Sequence, residues 1–139
     1  MTKKKLVPIQ DELDMCRTHL QIMSIQQRAS YQIIVKGVIG NETIPPAVLH
    51  TLVENGITHG YSGNDNAKFE LTKTTTQTGI QYRLFNDSKK QSTIKKTTTG
   101  SGLKYIEARL EECYPKHWAL TSRAVEKGWE AIIQIQTNA

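Results

Sequence analysis

The sequence predicts an α+β two-layer sandwich, a mixed and mostly antiparallel sheet with its helices on one face. Three observations carry that expectation. Three segments repeat apolar residues at helical three- and four-residue steps, five are short and rich in β-branched or aromatic residues, and two neighbouring pairs of these are joined by turns short enough for hairpins. The chain has 139 residues, 37% of them hydrophobic, which suits a single domain over residues 1–139 that can bury a core.

From Ile9 to Gln27, the residues Ile9, Leu13, Cys16, Leu20, Met23 and Ile25 recur mostly at helical steps and predict a first helix. Residues 30–36, stopped by Gly37, predict a strand. Thr43-Ile44-Pro45-Pro46 then supplies proline where a helix begins, because its missing N–H costs nothing there. Residues 47–59 show an apolar face of Val48, Leu49, Leu52, Val53 and Ile57, and Gly60 ends it. Residues 68–74 and 79–85 alternate Phe69, Leu71 and Ile80, Tyr82, Leu84 about Gln77-Thr78-Gly79, as a hairpin does. Residues 87–99 are dominated by Ser, Thr and Lys and predict a mobile loop. Residues 101–114 resume helical spacing through Leu103, Ile106 and Leu110, and strands at 118–122 and 129–136 flank a turn near Lys127-Gly128.

Composition excludes several classes. The formal net charge is +5, but Lys3 to Lys5 form a short terminal run and Lys89, Lys90, Lys95 and Lys96 lie in a polar stretch without aromatics to stack on bases. Direct nucleic-acid binding is not expected. No segment approaches the roughly 20 apolar residues of a membrane helix, and the start Met1-Thr2-Lys3-Lys4-Lys5 is no signal peptide, so no direct membrane contact is expected. Cys16 and Cys113 stand far apart, with no C-x-x-C and no paired His at ligand spacing, and read as packed thiols within helices.

Two segments carry candidate chemistry. Asn55 is a poor helix former inside a helix, and His59, four residues on, shares its face. An amide oxygen there suits Mg²⁺ and an imidazole suits a phosphate, although a solvent-facing Asn and a His at the helix dipole would look the same. In the second segment, Gly100 and Gly102 precede a helix whose free N–H groups favour an anion, a composition that plain turns share. It is neither a Walker A loop nor a dinucleotide fingerprint.

The run Ile44-Pro45-Pro46-Ala47-Val48-Leu49-His50-Thr51-Leu52-Val53-Glu54-Asn55-Gly56-Ile57-Thr58-His59-Gly60 resembles the "IPP…LVENAIKHG" N box of LytS-type sensor histidine kinases. Gly100-Ser101-Gly102-Leu103-Lys104-Tyr105-Ile106-Glu107-Ala108-Arg109-Leu110-Glu111-Glu112-Cys113-Tyr114-Pro115 likewise resembles their "GxGLKNVRERLELLYP" glycine box, and the likeness extends from about Leu13 to Ile135. The resemblance implies the Bergerat-type ATP-binding fold shared by gyrase, Hsp90, histidine kinases and MutL. It implies ATP and Mg²⁺ as cofactors, held between the N-box helix and a lid at about residues 87–99. Asn55 would be the Mg²⁺ ligand and, with Glu54, catalytic, while His59, Asn86, Asp87, Gly100, Ser101, Gly102 and Leu103 would line the nucleotide. The lid lysines would neutralise triphosphate charge.

Two departures stand out. Thr58 replaces the family's lysine, and Asn86-Asp87-Ser88-Lys89-Lys90 replaces its "DxGxG" box. By strand register Asn86 takes the position of the adenine-reading Asp, where its oxygen accepts from the adenine amine without the assistance of a charge. The resemblance thus implies the catalytic fragment of a cytoplasmic kinase region in a membrane-anchored bacterial sensor. Its phosphoacceptor histidine would lie on a separate dimerisation domain before residue 1, and a response regulator of LytTR type would receive the phosphate. The alternative is a degenerate pseudokinase that binds partners and little or no nucleotide.

Overall fold

The computed structural model describes residues 6–60, 66–87 and 101–136, with backbone alone at 59, 60, 101 and 102. Helix α1 (Ile9–Gln27) buries Ile9, Glu12, Leu13, Cys16 and Leu20 along one stripe. Ile25 does not belong to that stripe and is 79% exposed. It lies five residues past Leu20, about 140° round the helix. Arg28, with φ of 55°, ends α1 in the left-handed conformation, and the Ser24 hydroxyl accepts the Tyr31 N–H at 3.0 Å, turning the chain into strand β2 (Tyr31–Lys36).

Two further strands of two residues each, β1 (Val7–Pro8) and β3 (Thr43–Ile44), pair antiparallel beside α1. Helix α2 (Val48–Gly60) follows, so Pro45 and Pro46 precede it instead of filling its first position. Strands β4 (Ala67–Thr75) and β5 (Gly79–Asn86) form the expected hairpin. A side chain at Gly79 would stand 1.9 Å from the Ile135 carbonyl oxygen, so the turn needs glycine there. Helix α3 (Ser101–Cys113) precedes the closing hairpin of β6 (Trp118–Val125) and β7 (Gly128–Gln136).

The five long strands lie in the order β2-β4-β5-β7-β6, and only β2 and β4 run parallel. A parallel pair needs a crossover, and α2 lies within it. Phe69, Leu71, Tyr82, Leu84, Ile133 and Ile135 face the helices from the sheet and meet Leu13, Leu20, Val48, Val53, Ile106 and Leu110. The opposite sheet face is polar. There Glu130, 5% exposed, accepts from Arg83 Nε at 2.6 Å and Arg123 Nε at 2.9 Å, joining three strands. Among the described residues, no helix is long and apolar enough to cross a membrane.

Candidate functional site

Helix α2 begins without a capping side chain of its own. No Ser, Thr, Asp or Asn directly precedes Val48, and its first turn holds no acid. Glu12 of α1 fills that role from outside, although it is only 2% exposed. Its Oε2 accepts the Ala47 N–H at 2.7 Å, and its Oε1 accepts those of Leu49 at 3.1 Å and His50 at 3.3 Å. Three backbone donors and the positive helix end offset the desolvation of the carboxylate. The bonds also hold Ala47 at φ 68°, a conformation costly for a residue with a Cβ. The rotation of α2 about its axis is thereby set by α1.

That rotation decides what each flank of α2 presents. Val48, Leu49, Leu52, Val53 and Ile57 face the core. By helical geometry Asn55 lies on the flank beside Val48 and Leu52, whereas His50 and Glu54 lie on the other, beside Ile57. The structure places the second flank against α1: Glu54 Oε1 is 4.0 Å from His50 Nδ1, and the His50 ring meets the His19 ring edge-on at 5.1 Å. Glu54 and Asn55, adjacent in sequence, therefore point to different sides.

Asn55 is half-buried, and its neighbour Gly56 is where α2 touches the sheet. A Cβ at Gly56 would stand 2.8 Å from the Phe69 ring and 3.1 Å from Asn86 Nδ2. Asn86 pairs with Phe69 and Trp129, faces the helices as the register predicts, and is 4% exposed. Its backbone is crowded from behind, since a Cβ at Gly128 would lie 2.0 Å from its carbonyl oxygen. Asp87 is occupied with the sheet: its Oδ1 accepts the Lys68 N–H at 3.1 Å, and its own N–H reaches the Lys68 carbonyl at 3.3 Å. Asn86 thus meets α2 at Gly56, one residue along the chain from Asn55, while Asp87 closes the β4–β5 ladder.

The glycine segment reaches the structure only in part. Ser101 and Gly102 start α3, half-buried Leu103 packs on the core, and the Tyr105 hydroxyl donates to the Pro46 carbonyl at 3.4 Å, tying α3 to the start of α2. Gly100, the side chains of His59 and Ser101, and the expected lid beyond Asp87 lie outside the described residues. Two groups escaped the sequence reading. Glu12 had a usable signal, a carboxylate on a buried stripe that must find donors. The approach of His19 to His50 had none, because 30 residues lie between them in the sequence.

Neither a protein-family model nor a curated protein matches the sequence. Solved structures do match its fold. The catalytic domain of histidine kinase ThkA superposes with a TM-score of 0.66 at 15% identity, covering 99% of both chains. Acinetobacter baumannii histidine kinase AdeS gives 0.67 at 12% identity over 100% of this chain and 70% of that one. The mycobacterial sensor histidine kinase MprB gives 0.61 at 11% identity, covering 98% and 99%. The chain has the fold of histidine kinase catalytic domains.

Proposed function

We propose that this domain binds Mg²⁺-ATP and presents the γ-phosphate to a histidine on a separate dimerisation domain, as the catalytic part of a LytS-type sensor histidine kinase. The observation that carries the reading is the packing of buried Asn86 against α2 at Gly56, one residue along the helix from half-buried Asn55. The donor set fits the cofactor. Asn55 offers a neutral, hard oxygen, and Mg²⁺ takes few protein ligands because it retains water and phosphate oxygens. The bound nucleotide supplies the phosphoryl group, and its metal neutralises charge on it.

The chain's own work is positioning. Asn86 accepts from the adenine amine, its amide oriented by packing against Gly56. The first turn of α3 offers backbone N–H groups to the phosphates. Glu12 acts as a positioning residue through α2, and Glu54, beside Asn55 in the chain, is the proposed catalytic carboxylate. The domain is proposed to work in the cytoplasm and to supply a response regulator of LytTR type through the phosphohistidine.

Calorimetric titration with Mg²⁺-ATP tests this. Wild-type chain should bind one nucleotide, and Asn55→Ala and Asn86→Ala should each lose most of that affinity. Asn55→Ala should melt as before or slightly higher, since alanine is the better helix former by a few tenths of a kcal/mol. No binding by the wild type would turn the assignment toward a partner-binding pseudokinase. Unchanged affinity in Asn55→Ala would remove Asn55 as the metal ligand.

A further inference from the structure

We propose that His19, His50 and Glu54 form a second cation site, for a transition-metal ion of the Zn²⁺ type, that clasps α1 to α2 on the flank opposite Asn55. His50 and Glu54 are four residues apart and share a helix face, and His19 approaches them from α1. One donor atom from each residue lies within 4.8 Å of the others. The imidazole rings stand at 87° to each other with centroids 5.1 Å apart, so two ring nitrogens can point at a common centre.

The chemistry selects the ion. Two imidazoles and one carboxylate make a borderline-soft N₂O set of the kind that holds Zn²⁺, with a fourth position left to water, whereas Mg²⁺ and Ca²⁺ prefer all-oxygen sites. Bonds of about 2.0–2.2 Å would bring the donors to roughly 3.4 Å apart. Closing the remaining gap takes side-chain rotation alone, because Glu54 is 49% exposed and free to turn, while both histidines are half-buried.

The helices that carry these ligands are already fixed. Glu12 bonds the backbone N–H of His50 itself, at 3.3 Å, so the distance from α1 to His50 does not depend on the ion. Such preorganisation favours binding, since little order remains to be imposed. Cys16 lies one turn before His19 but is fully buried, and that burial pushes its thiol up to about 12, which leaves the site to nitrogen and oxygen.

The test uses the intact chain, stripped by chelator and titrated with Zn²⁺ and then Co²⁺ without nucleotide, so its outcome is independent of the ATP reading. One Zn²⁺ per chain is expected. His19→Ala and His50→Ala should each weaken it by at least about tenfold, since even indirect support of a metal ligand is worth that much. His117→Ala, at an exposed position, should not. Co²⁺ should give d–d bands without a thiolate charge-transfer band. His19→Gln and His50→Gln, closer in size, repeat the test should either alanine variant melt early. Absence of stoichiometric binding, full affinity in the His19 and His50 variants, or a thiolate band would each overturn the site.

Discussion

Glu12 links the folding of one helix to the aim of another. Its three accepted N–H bonds belong to α2, so its loss would leave buried donors unpaired at Ala47 and Leu49. Glu12→Ala should cost about 2–4 kcal/mol in urea unfolding, and Glu12→Gln clearly less, because one acceptor oxygen survives. Tyr82 makes the opposite case. Its hydroxyl is buried with no hydrogen-bond partner among the described residues, and burial raises its pKa above the ordinary tyrosine range. Tyr82→Phe removes an unsatisfied polar atom and keeps the ring, so it should leave stability unchanged or raise it by up to about 1 kcal/mol on the same measurement. Any loss beyond error would mean that the hydroxyl is paired. At this scale Asn86 was legible, since period-two alternation through Ile80, Tyr82 and Leu84 sends it inward. The direction of Glu54 was not, because a spacing pattern does not say which neighbour each flank of a helix meets.

Among the elements, periodicity worked where segments were long enough to repeat. The first helix was read as Ile9–Gln27, as found, and both hairpins fall within a few residues of their expected bounds. The strands β1 and β3 were not foreseen, because two residues show no alternation. Strand β6 runs to Val125, three residues past its expected end, as its pairing with β7 continues to the turn. The parallel alignment of β2 with β4 also left no mark in either strand, because direction is decided by the path of the chain between them.

Across the molecule, two ion-paired carboxyls contribute to the acid side of the stability profile. A hydrogen bond from Lys73 holds the Glu42 carboxyl below its ordinary 4.5, and one from Arg83, seconded by Arg123, does the same for Glu130. Both groups bind protons less readily folded than unfolded. The stability they lend is therefore complete above about pH 4.5 and is lost as pH falls through their lowered native values. The double variant Glu42→Gln, Glu130→Gln should start less stable and lose less between about pH 6 and pH 3 than the wild type, as read by urea midpoints. Parallel slopes for the two proteins would show that other groups govern acid unfolding.

The single parallel joint also has a kinetic consequence. The turns of β4–β5 and β6–β7 close locally and fast, but β2 meets β4 only after the chain has looped back through β3 and α2, so that Ser30 N–H finds the Asn66 side chain 36 positions away. By the same measure β5 meets β7 across at least 43 positions, so both non-local joints, that one and the docking of the α1-β2-α2 half onto the antiparallel strands, come late in folding. Asn55 arrives with that half and Asn86 waits in the other. A chain caught before docking holds the two asparagines on separate pieces, so the nucleotide binding proposed above would come only with completion of the core.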